Sequence, residues 1–218
     1  MALRLRKQYA HPPERVEVRR SQLSDSLGWM RQDIARRLLP FAAVVVTVWV
    51  LLRPRWLGVS AGDPSTQLAA GAVGAVLLFF GGAAVQLGLS RRRRALAVPG
   101  SGADLWLQAG YYLLLNAPLE EAVFRGLLQG ALTALAGPAL GLPAATAAYV
   151  LYHRLGAWAW QEVAATTLVG MPLALLYWLL PGPPSLLAVS LAHAGATCGF
   201  LGPGPWLLWR LRLLAWGH

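Results

Sequence analysis

The residues best able to do chemistry lie in Pro118-Leu119-Glu120-Glu121-Ala122-Val123-Phe124-Arg125-Gly126, where two adjacent carboxylates and an arginine interrupt an apolar tract. Glu121 and Arg125 stand four apart with the acid first, the favourable order for an intrahelical ion pair. Glu120 is rotated about 100° from its neighbour and has no cation three or four residues later, so its carboxylate must turn elsewhere. Pro118 suits a first helical turn and Asn116 a cap, which places both acids near the positive end of a helix dipole. His153 and His193 each fall within another apolar segment, whereas His11 and His218 lie in the tails. A Glu and a His together can hold a water and take its proton, while a second His donates to an oxyanion. The blander alternative is that each His packs in the interior, hydrogen-bonded to a backbone carbonyl.

The elements that must carry these groups are apolar helices. Hydrophobic residues make up 56% of the chain and charged ones 13%, with a mean hydropathy of +0.49; soluble domains are roughly a quarter charged. Runs of Ala, Leu and Gly without two-residue alternation argue against a membrane barrel. The net charge of +10 does not imply a nucleic-acid partner, because the arginines collect where apolar runs stop. Arg36, Arg37, Arg53, Arg55 and Arg91 to Arg94 are expected as cytoplasmic topology signals. Trp56, Trp106, Trp158, Trp160, Trp206 and Trp216 sit near expected helix ends, where an indole suits the headgroup layer. Cys198, the single cysteine, allows no intramolecular disulfide and is expected as a small packing residue.

Pro- and Gly-rich punctuation divides the apolar runs into expected helices over 37–52, 67–90, 104–116, 118–135, 144–158, 163–180, 185–201 and 205–216. The expectation is an all-α, polytopic integral membrane protein, with about six to eight transmembrane helices around a buried, water-accessible cavity. Residues 1–36 read as a basic cytoplasmic tail carrying an in-plane amphipathic helix around 23–39, and 37–218 as one transmembrane domain. Abundant Arg beside the lone Lys7 fits a GC-rich genome and hence a bacterial cytoplasmic membrane.

These residues resemble the CPBP intramembrane endopeptidases, the group that contains the CAAX prenyl proteases and bacteriocin-processing and immunity-related membrane proteins. Ala117 to Gly126 is similar to the family's EExxxR motif with its flanking Ala-Pro and Phe-Arg-Gly; Tyr149 to His153 is similar to its second motif, an aromatic residue four before a His. Gly170 to Tyr177, Gly182-Pro183-Pro184-Ser185 and His193 to Thr197 resemble the third block, which usually ends HxxxN. The resemblance implies a core over about 104–201 in which Glu120 and His153 activate water and His193 with Thr197 stabilises the oxyanion. Glu121 and Arg125 would be structural support. Thr197 stands where the family most often has Asn; a hydroxyl can still donate one hydrogen bond, with a different reach. Pro183-Pro184 replaces a more usual Thr-Gly-Ser turn.

The implied activity is peptide-bond hydrolysis on a membrane-associated protein or peptide, in contact with membrane lipids, without nucleic acid and without a cofactor. Two rivals stay open. One is a zinc protease using Glu120, His153 and His193, although no HExxH is present. The other is a non-enzymatic protein, either a proton-relaying transporter or a silent binding scaffold. Full crossing by every segment from a cytoplasmic N-terminus would place Glu120 and His153 toward the outer half of the membrane. The family resemblance implies a cytosol-facing site.

Overall fold

A short strand, a helix, one π-helical turn and then a proline: the chain makes this series twice. Strand β1 (Glu17–Ser21) leads into helix α1 (Leu23–Leu52), which widens to a π turn at Ile34–Leu38 just before Pro40. Strand β2 (Ala95–Pro99) leads into helix α3 (102–136), which widens at Tyr112–Asn116 just before Pro118. The computed structural model describes residues 17–90, 95–156 and 158–213. The start of the expected N-terminal tail, the Arg91 to Arg94 block and the chain end at Trp216 lie outside the described residues.

Proline lacks an N–H, and its ring collides with the carbonyl four residues earlier. In both helices the N–H of the residue before Pro bonds five residues back, Leu39 to the Ile34 carbonyl and Ala117 to the Tyr112 carbonyl. The wider turn moves the obstructing carbonyl aside and the helix continues. This corrects the expected break between 104–116 and 118–135. Asn116 is no cap, and Glu120 and Glu121 lie in mid-helix, far from the positive end. A second π stretch, Ala122–Gln129, follows them. Likewise, the expected in-plane segment and first span are consecutive parts of α1.

The two strands form a small parallel sheet, Glu17 beside Ala95 through Ser21 beside Pro99, an element that the apolar pattern of an all-helical chain does not reveal. Pairing the strands sets α1 and α3 side by side in the same direction. Contacts climb both helices in step: Gln108 Nε2 donates to Ser26 Oγ at 3.0 Å, the Tyr111 hydroxyl to Asp33, and the Phe41 and Phe124 rings lie 6.2 Å apart. Met30, Leu38, Tyr111 and Tyr112 pack as one buried cluster between them, so the two π turns are neighbours.

The remaining helices are α2 (Pro64–Ser90), α4 (Pro138–Tyr152), α5 (Trp160–Leu179), α6 (Leu186–Phe200) and α7 (Pro203–Arg210). Asp63 precedes α2 and accepts from the Thr66 hydroxyl, the Ser65 hydroxyl and the Thr66 N–H, bonds that hold its carboxyl below the usual range. Ser101 and Ser185 cap α3 and α6, accepting from the N–H of Asp104 at 3.1 Å and of Leu187 at 3.3 Å. Gly137 with φ 80° before Pro138 separates α3 from α4.

Among the described residues, α1, α2 and α5 are long and apolar enough to cross a membrane, and α6 with α7, bent by 44°, make a fourth if counted as one span. Their outward side chains are apolar, with Leu51, Leu77 and Leu179 each about two-thirds exposed or more. Such surfaces belong in lipid, and the protein is an all-α membrane protein.

Helices α2 and α6 form the most extensive helix pair, and glycine lets them approach. A Cβ at Gly199 would fall 2.8 Å from the Phe79 Cα, and one at Gly195 2.7 Å from the Ala75 carbonyl carbon. With glycine at both positions, four apart, the backbones touch as small-residue helix pairs do in lipid. Gly199→Leu is expected to push α6 off α2 and destabilise the protein by about 1–3 kcal/mol. Thermal unfolding in detergent measures this; an unchanged midpoint would show that the close approach is not needed.

Candidate active site

Helix α3 carries three charged residues into the interior in one turn and a half. Glu120 is 3% exposed, and Glu121 and Arg125 are fully buried. Unpaired charges in such a place cost several kcal/mol each, about what a buried pair recovers only with good geometry. Each charge is accordingly held. Arg125 Nε donates to Glu121 Oε2 at 3.2 Å, and its guanidinium lies 5.1 Å from the Tyr149 ring centre. The other oxygen of Glu121 accepts from His193 Nδ1 at 2.6 Å. Glu121 therefore joins α3 to α6 as well as closing its own helical turn.

Glu120 has different partners. Its Oε1 accepts from Asn116 Nδ2 at 3.0 Å and pairs with Arg37 of α1. Its Oε2 lies 3.6 Å from His193 Nε2. His193 thus sits between the two glutamates, one on each ring nitrogen, and the Tyr149 hydroxyl lies 3.4 Å from its Nε2. Because a carboxylate only accepts, Nδ1 carries a proton; Nε2 can donate as well only in the doubly protonated ring.

His153, half-buried, follows the last turn of α4. Its Nδ1 donates to the Tyr149 carbonyl at 2.8 Å, which leaves Nε2 of the neutral ring unprotonated. Among the described residues it has no hydrogen bond to Glu120 or His193. It approaches His193 through Tyr149, whose ring packs edge-on against both imidazoles with centroids 4.7 and 5.7 Å away. Thr197 is one turn beyond His193 on α6 and partly buried, and its hydroxyl has no hydrogen-bond partner among the described residues.

Glu120, His153, His193 and Thr197 all border one cavity of about 890 Å³, walled by α1 to α6. Polar groups of Asp33, Arg37 and Asn116 line one part, and Leu78, Val85, Val169 and Phe200 another. The size is that of a site for a small ligand or a short peptide segment. Among the described residues no group of three His, Cys, Asp or Glu is arranged to hold a metal ion. Glu162 accepts from the Ala159 N–H at the start of α5, and exposed Arg154 donates to the Trp158 carbonyl.

Arg37 corrects the sequence expectation most sharply. Its position at the edge of an apolar run marks a topology signal, yet its side chain turns inward to Glu120 and Asp33. Asp33 and Asn116 enter the site with it. The available signal is local: a proline in mid-helix three residues after Arg37 and two after Asn116, each preceded by a turn that must open.

No curated protein and no solved structure matches the chain. A family model described as type II CAAX prenyl endopeptidase Rce1-like matches residues 102–198, the stretch that holds Glu120, His153, His193 and Thr197. Over that segment the chain is similar to the Rce1-like family, in keeping with its resemblance to the CPBP endopeptidases.

Proposed function

We propose that this protein is a CAAX-type intramembrane endopeptidase that hydrolyses a peptide bond with a glutamate-activated water. One observation carries the proposal: a buried carboxylate with one oxygen held and the other directed toward an imidazole, on the wall of a cavity in a membrane protein. In this reading Glu120 Oε2 takes a proton from water, with Nε2 of His153 as the second acceptor across the cavity. The hydroxide attacks the carbonyl carbon of the scissile bond. Doubly protonated His193, donating from Nε2, and the Thr197 hydroxyl offset the charge on the oxygen. The C–N bond then breaks, and the proton held by Glu120 passes to the leaving amine. Glu121 orients His193 and is itself neutralised by Arg125.

The substrate in this reading is a membrane-associated protein or peptide, reached laterally or from one membrane face, and no cofactor takes part. The arginines flanking the spans favour a cytoplasmic N-terminus, and the abundance of Arg beside a single Lys favours a bacterial cytoplasmic membrane.

Purified protein incubated with a library of free and lipidated peptides should produce defined cleavage products by mass spectrometry, at a rate unaltered by EDTA. Loss of cleavage with EDTA and recovery with zinc would replace the glutamate mechanism with a metal-dependent one. An absence of cleavage across free and lipidated substrates would favour a binding scaffold.

A further inference from the structure

Resting on that reading, we infer that Arg37, outside the family-matched segment, is the positioning residue of Glu120. A glutamate side chain has freely rotating bonds, and a base that swings by 1 Å can lose about 100-fold in rate. Here rotation is blocked at Oε1 from two sides, by Arg37 and by Asn116. Oε2 is the oxygen left for the cavity.

Arg37 can do this because it is itself held. Its Nε donates to Asp33 Oδ1 at 2.7 Å and its Nη2 to Asp33 Oδ2, a two-point contact that fixes the planar guanidinium and aims Nη1 at Glu120. The Tyr111 hydroxyl in turn donates to Asp33. The chain of contacts therefore runs from Tyr111 on α3, through Asp33 and Arg37 on α1, back to Glu120 on α3. Arg37 lies in the π turn of α1, and Asn116 ends the π turn of α3. Parallel pairing of β1 with β2 brings the two turns together. The repeated strand, helix and π turn thus has a purpose at the site: each copy supplies one donor to the same carboxylate oxygen. A lysine at position 37 keeps the charge but has no fork to engage Asp33, so it should orient Glu120 only in part.

The test uses the full chain in detergent with Arg37→Ala, Arg37→Lys, Asp33→Asn and Arg37→Ala supplied with guanidinium, and two readouts. The first is steady-state cleavage: kcat should fall about 100-fold in Arg37→Ala while KM changes little. Arg37→Lys, Asp33→Asn and guanidinium rescue should give intermediate values. The second needs no activity. Modification of Glu120 by a hydrophobic carbodiimide, located by mass spectrometry, should rise several-fold in Arg37→Ala and fall again with guanidinium. A raised KM with kcat intact would assign Arg37 to substrate binding and overturn the inference, as would unchanged kcat or unchanged labelling. If labelling responds as expected but no variant, wild type included, cleaves any peptide, the hold of Arg37 on Glu120 stands and the protease reading falls.

Discussion

Glu120→Gln, which removes the proposed general base, is expected to lower peptide cleavage by about 100- to 10,000-fold, the range that a positioned general base contributes. The substitution is close to isosteric, and its partners can accept it. Asn116 Nδ2 donates to Oε1, and an amide oxygen placed there still accepts from it and from Arg37. The amide NH2 would then face Nε2 of His193, which accepts when the ring is neutral. Arg37 keeps Asp33 as a counter-ion, so no buried cation is orphaned. The expected result is therefore a folded, inactive protein, with a thermal midpoint near that of the wild type. Cleavage by Glu120→Gln at the wild-type rate would remove Glu120 from the mechanism. A protein that loses both activity and its unfolding transition would show that the Arg37 ion pair holds the fold.

His193→Ala is expected to lose both activity and stability, because His193 touches both glutamates. Removing an oxyanion donor typically costs about 100- to 1000-fold in kcat. In addition, Glu121 Oε1 loses its 2.6 Å donor in a fully buried place; an unsatisfied buried group costs about 1–3 kcal/mol, and more when charged. Thr197→Val separates the two effects. The Thr197 hydroxyl has no protein partner among the described residues, so its removal should lower kcat without moving the unfolding midpoint. Equal stability of His193→Ala and wild type would mean that the Glu121 contact is not what fixes the ring. Undiminished cleavage by Thr197→Val would leave His193 as the oxyanion donor without help from that hydroxyl.

Much of this arrangement is legible in residue types and spacings. Few charges in a chain that is 56% hydrophobic identify a membrane protein, because every charged group in lipid needs a reason. The same scarcity singles out Glu120, Glu121, Arg125, His153 and His193. Spacing alone pairs Glu121 with Arg125, since residues four apart share a helix face whatever the fold. The proline at 118 misleads, because it reads as a helix start and the chain instead opens a π turn and continues. The glycines at 195 and 199 carry a legible spacing whose partner, the backbone of α2, is not legible.

By itself, then, the sequence determined the helical membrane architecture, the short set of groups able to do chemistry and the local pair within α3. These depend on composition and on intervals of a few residues, which a helix converts directly into shared faces. Only the tertiary structure decided that Glu121 also holds His193, that His153 meets His193 through Tyr149, and that Arg37 reaches Glu120. Those contacts join residues 44 to 83 positions apart. They follow from the parallel alignment of α1 with α3 and from the packing of α6 against α3. Such pairings are set by how whole helices pack, and an arginine at the edge of an apolar run has the same local surroundings whether it faces lipid headgroups or a buried carboxylate.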